Sequence, residues 1–122
     1  SMPIRIIARL ASFRAALRRG VPIAMGTDAG TPFNYHGDNA QELERMVALG
    51  MTPMDAIMTS TSAAARLLGL IQDIGSIAAG KQADLLVVEG NPLRNIGVLL
   101  KRERIAGVMQ RGRFVAGPLS GA

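Results

Sequence analysis

Val21-Pro22-Ile23-Ala24-Met25-Gly26-Thr27-Asp28 is the stretch on which the fold turns. Five residues without a charge, ended by a glycine, suit a strand buried on both faces, with Pro22 confined to its entrance because it lacks an N–H for a ladder. Behind the run comes Ala29-Gly30-Thr31-Pro32 and a polar loop reaching Asp38. A buried strand that opens into a polar loop is where α/β proteins place their chemistry. Asp28 stands at that junction, between residues too small to block a ligand. A carboxylate in this position can bind a divalent metal or take a proton from a metal-bound water. It can equally close the turn by accepting backbone N–H groups, a common use of Asp in loops. His36, eight residues on, is the only histidine. It can contact a substrate or share a proton with Asp28, or serve the loop structurally.

Outward from this stretch, helical spacing dominates. Ile6, Leu10, Phe13 and Leu17 recur every three or four residues, which predicts an amphipathic helix over residues 3 to 19 with Gly20 as its stop. Asn39-Ala40-Gln41-Glu42 has capping-box spacing, and Leu43, Met46, Val47 and Leu49 give the next helix an apolar face ending at Gly50. Thr52-Pro53-Met54-Asp55 predicts another helix start, with a cap, Pro at the first helical position and an acid in the first turn. Ser62 is the expected cap of a short helix from Ala63 to Leu68, stopped by Gly69. The methionines at 46, 51, 54 and 58 fall in or beside these helices and read as packing residues.

After Leu70 the pattern changes. Leu85-Leu86-Val87-Val88, between Asp84 and Glu89, reads as a strand, Asn91-Pro92 as a turn, and Ile96 to Leu100 as a short helical or extended link. Residues 104 to 110 and 113 to 116 read as a hairpin about Arg111-Gly112, and Gly117 to Ala122 as a frayed tail. Gly75-Ser-Ile-Ala-Ala-Gly80-Lys81 imitates a phosphate-binding loop. Gln82 stands where that loop needs Ser or Thr, and a strand follows where it needs a helix, so nucleotide binding is not expected.

Composition bounds the rest. In 122 residues, 48% are hydrophobic and four are aromatic, which excludes a disordered chain and allows one domain that, if compact, buries about two-thirds of its unfolded surface. No apolar run approaches the roughly 18 residues of a membrane span, and residues 1 to 20 lack a signal-peptide core, so a cytoplasmic protein is expected. Ser1 ahead of Met2 reads as a remnant of tag removal, with Met2 the expected native start. Zero cysteines exclude disulfides and thiolate metal sites. The net charge of +5 resolves into Arg5, Arg9, Arg14, Arg18 and Arg19 at one end, five basic residues and Glu103 after residue 100, and an acidic middle. Without stacking aromatics, these Arg clusters read as solvated faces and no nucleic-acid partner is expected.

Three further runs, taken in order with the opening stretch, carry a resemblance: His36-Gly-Asp-Asn-Ala-Gln-Glu-Leu43, Gly50-Met-Thr-Pro-Met-Asp-Ala-Ile57, and Gly75-Ser-Ile-Ala-Ala-Gly-Lys-Gln-Ala-Asp84-Leu-Leu-Val-Val with Asn91-Pro-Leu. Together they resemble the C-terminal third of metal-dependent amidohydrolases, in the prolidase-like and imidazolonepropionase-like branch. The resemblance implies an α/β fold: the last strand and helices of a (β/α)₈ barrel in residues 1–70, and C-terminal strands of a small β-sandwich in residues 71–122. It implies Asp28 as metal ligand and general base, His36 and the adjacent Thr27 as substrate contacts, zinc or another divalent metal as cofactor, and a small peptide or amide substrate cleaved at a C–N bond.

The other ligands of such a site have no counterpart in this sequence, and a (β/α)₈ barrel typically takes about 250 residues. One carboxylate does not hold a catalytic zinc, which takes three protein ligands and an open position. The expectation is therefore a piece of an enzyme, not active alone, completed by an N-terminal amidohydrolase segment or by homo-oligomerisation. The alternative is a non-catalytic, self-associating remnant or interaction module.

Overall fold

The computed structural model describes residues 4–26 and 39–121, with the side chains of residues 4–9 left aside. Four helices precede three strands: α1 (Ile4–Arg18), α2 (Ala40–Ala48), α3 (Pro53–Ser60), α4 (Ser62–Leu67), then β1 (Leu85–Val88), β2 (Ile105–Gln110) and β3 (Arg113–Ala116). Three helices end in the same way. After α1, Val21 N–H donates to Ala16 O (3.0 Å) and Gly20 N–H to Leu17 O (3.2 Å). The pattern repeats after α2 through Met51 and Gly50, and after α4 through Leu70 and Gly69. Each glycine sits at positive φ, which lets the chain turn back and satisfy the last carbonyls without a Cβ clash.

The predicted helix starts fare differently. Thr52 caps α3 as expected, its Oγ1 accepting from Asp55 N–H at 3.2 Å with Pro53 behind it. Thr52→Ala removes that acceptor and is expected to cost about 1 kcal/mol. A lower urea midpoint checks this, with Thr52→Ser close to wild type. Asn39 makes no side-chain cap: its backbone is already helical, and Glu42 turns outward to pair with Arg45 at 3.3 Å. Helix α4 starts one residue early, with Thr61 at its cap and Ser62 inside it, the Ser62 hydroxyl buried without a partner.

Leu43, Met46, Met51, Ala56 and Ile96 form the core, with Phe13, Leu17, Ile23, Met25, Val47, Ile57 and Leu99 packed around it. It joins the apolar faces of α1, α2 and α3. No residue of β1, β2 or β3 belongs to it. The connection is the 3₁₀ turn Ile96–Leu100, whose Ile96 and Val98 are buried while its ends lead from β1 and into β2.

The sheet runs in the order β1-β2-β3, antiparallel throughout. Leu85, Met109 and Phe114 line up across it, and bulges at Val87/Val88 and Val108/Met109 shift the register on either side. Asp84 ties β1 to the hairpin turn, its Oδ1 accepting from Arg111 N–H at 2.8 Å beside Gly112 N–H to Ala83 O at 2.9 Å.

Two expectations are corrected. Residues 21–26 form no strand: a strand exists by its ladder, and among the described residues no neighbour offers one. Residues 117–121 do not fray; Pro118–Ser120 is a 3₁₀ turn that folds back so that Leu119, with Phe114, fills the space a side chain on Gly107 would take. Burial is also lower than expected. The chain exposes 8907 Å², against about 6300 Å² for a compact protein of its mass, so about half of the unfolded surface is buried, not two-thirds.

Candidate functional site

The candidate residues Thr27, Asp28 and His36 lie outside the described residues. What the structure defines is how the chain enters and leaves the stretch that holds them. On the entering side, Ile23 and Met25 pack against the core, and Met25 N–H donates to Thr59 O at 2.9 Å. Thr59 lies in the last turn of α3 and is buried, its hydroxyl donating to Ala56 O at 2.6 Å with Met46 Sδ 3.5 Å away. On the leaving side, α2 returns to the same core through Leu43 and Met46. One packed cluster therefore fixes both ends of the segment that carries Asp28 and His36.

Thr59 was not singled out by the sequence reading. The signal was present in Thr59-Ser60-Thr61-Ser62, four hydroxyl residues where α3 gives way to α4. Three of them bond backwards to carbonyls of α3, Ser60 and Thr61 both to Ile57 O at 3.0 Å. Such local bonds let the chain turn between helices while the hydroxyls of Thr59, Ser60 and Thr61 stay satisfied, that of Ser62 alone among them lacking a partner.

Among the described residues no three His, Cys, Asp or Glu side chains come together as a metal site. A shallow open cavity of about 560 Å³, lined by Asp73, Lys81, Gln82 and Asp84 among others, lies at the start of the β part. Lys81 there donates to Ser76 Oγ at 2.7 Å and is followed by β1, not by a helix whose amides could receive a phosphate. No described helix is long and apolar enough to cross a membrane.

Helices packed around residues 21–26, and an antiparallel three-stranded sheet tied to them through the turn Ile96–Leu100, make up a mixed helix-and-sheet fold. The chain belongs to the amidohydrolase family, whose family model matches residues 5–115. Among curated relatives it is 33% identical over 113 residues to an ochratoxinase of Aspergillus niger, covering 91% of this chain and 23% of that protein. It is likewise 33% identical over 107 residues to an imidazolonepropionase of Shouchella clausii, covering 86% of this chain and 24% of the other. Among solved structures, a Xaa-Pro dipeptidase with methionine bound in its active site superposes with a TM-score of 0.81 at 42% identity, over 88% of this chain and 25% of that one. The fold is thus part of a larger amidohydrolase fold, and the chain spans about a quarter of the length of the relatives it matches.

Proposed function

We propose that this chain is the C-terminal portion of a metal-dependent amidohydrolase of prolidase or dipeptidase type, with residues 1–70 contributing to the barrel and 71–122 to the β-sandwich. In this reading Asp28 is the chain's contribution to a divalent-metal site and its general base, and Thr27 and His36 contact the substrate. The chain does not make up a zinc shell by itself. It has one histidine and no cysteine, whereas a catalytic zinc takes three protein ligands. The remaining ligands then belong to a complementing polypeptide that supplies the rest of the fold, and the chain alone is inactive.

The observation that carries this reading is the match to the Xaa-Pro dipeptidase, 42% identical over 88% of this chain. The anchoring of both ends of the Asp28 segment on one core supports it further, because a catalytic carboxylate needs a fixed approach. The test mixes the chain with a polypeptide carrying the preceding three quarters of that dipeptidase and measures Xaa-Pro hydrolysis. Turnover is expected in the mixture only, lost on chelation and reduced about 100-fold or more by Asp28→Asn. Turnover that survives Asp28→Asn would overturn the assigned role.

A second reading, a non-catalytic module that works by self-association, is favoured by a different observation. The chain leaves about 2600 Å² more surface exposed than a compact protein of its size, with Leu67, Leu68, Ile77 and Leu86 among its exposed apolar residues. Excess surface with such apolar residues on it supports a partner, and a second copy is the partner always present.

A further inference from the structure

We propose that the outer edge of β1 in one copy of this chain is covered by the outer edge of β3 in a second copy, so that molecules join head to tail through their sheets. This builds on the self-association reading above and names its interface.

The two edges differ in charge. Among the described residues neither β1 nor β3 has a strand on its outer side, so each presents a row of unpaired backbone groups. β1 is bracketed by two exposed acids, Asp84 and Glu89, and β3 is led by two exposed cations, Arg111 and Arg113. The only salt bridge among the described residues joins Arg45 to Glu42; Asp84 holds Arg111 N–H with one carboxylate oxygen, and Glu89 and the Arg111 and Arg113 guanidinium groups have no ion-pair partner among the described residues.

Charge then sorts the possible pairings. Two β1 edges laid together oppose acid to acid in either direction: Asp84 meets Asp84 when parallel and Glu89 when antiparallel. Two β3 edges oppose arginines when parallel, and when antiparallel they set Arg113 beside Ala116 with no acid near. β1 against β3 is the one combination that brings Arg113 opposite an acid in both directions, Asp84 in one and Glu89 in the other. Like charges directly across a strand pair are unfavourable and opposite charges favourable.

The strands also carry the apolar contact that exposed ion pairs do not provide on their own. Leu86 is 52% exposed and Val87 37%; as neighbours in a strand they point to opposite faces. On β3, Val115 is 54% exposed. Neither strand interior holds a charge or proline that would block an added strand. Because the two edges are different surfaces, the contact is heterologous, and each added copy leaves a β1 edge and a β3 edge free. Growth past two is expected, ending in a ring where the rotation closes and continuing where it does not.

Sedimentation velocity on the 122-residue chain over a wide concentration range, at low and high salt, tests this. The weight-average mass is expected to keep rising beyond a dimer and to fall back as salt screens the charges. Arg113→Glu is expected to weaken association about tenfold, as is Asp84→Asn combined with Glu89→Arg, while Arg113→Lys stays close to wild type. Mixing the Arg113→Glu chain with the Asp84→Asn/Glu89→Arg chain should restore growth, since each then offers the other a complementary edge. Circular dichroism on each variant separates lost association from lost folding, and the salt dependence of the wild-type chain stands without any variant. A monomer at every concentration overturns both the pairing and self-association, and leaves the edge to the polypeptide that completes the fold. Association that ignores all these charge changes, or that stops at a dimer, overturns the edge pairing while self-association itself stands.

Discussion

Replacing Gly75 with valine is expected to cost about 3 kcal/mol or more and to lower the melting temperature by about 10 °C. A Cβ built on Gly75 falls 2.5 Å from the Cβ of Ala65, 3.1 Å from Thr61 O and 3.3 Å from the Cα of Ser62. Two of these are backbone atoms and the third is fixed to a helix, so none can swing aside. Gly75 also sits at φ +96°, where any side chain is strained. Steric overlap and backbone strain therefore add, and the 70–75 turn must lift from α4. Gly75→Ala already introduces the offending Cβ. A Gly75→Ala chain that melts with the wild type would show that the turn does not lie on α4.

Met46→Ala ranks second, at about 3 kcal/mol. Met46 is 5% exposed and central to the core. Truncation removes most of its buried side chain and leaves a cavity beneath Thr59, whose carbonyl receives Met25 N–H. Two readouts are expected to move together. The urea midpoint falls, and the Met25 amide exchanges faster with solvent, because its acceptor rests on the emptied space. Met46→Leu keeps the volume and should cost less than about 1.5 kcal/mol. If Met46→Ala leaves Met25 protected, the entry to the Asp28 segment is held by something other than this core.

The helical half was legible because its signals are local. A periodic apolar stripe with glycine just past its end sets both the face and the stop of a helix, and Gly20, Gly50 and Gly69 close α1, α2 and α4 where the spacing predicts. The hairpin was legible for a related reason, since Arg111-Gly112 allows only a tight reversal between two β runs. Residues 21–25 were misread because strand formation depends on neighbours, and among the described residues none offers them a ladder. In place of a ladder, this segment holds to α3 through Met25 N–H on Thr59 O. Asn39 misled because capping-box spacing does not require the cap to form; its backbone entered the helix instead. The tail was misread because Leu119 packs on Gly107, a contact between residues 12 apart that no local pattern announces. The family was legible from runs quoted in order. The share of it was overestimated, a quarter in place of a third.

The turn Ile96–Leu100 has a consequence for cooperativity. The sheet is tied to the helical core through the burial of Ile96 and Val98 and contributes no side chain to that core. A domain melts in one step when every element gains most of its stability from a shared interior. Here strand pairing and helix packing are secured by different residues, so opening the sheet removes little from α1, α2 and α3, and loosening the helices leaves the hairpin bonds in place. The chain is accordingly expected to open as two foldons joined by a short clasp, which amide exchange would resolve as two separate protection levels. A partner bound at either half stabilises that half first, and the other only as far as Ile96 transmits it.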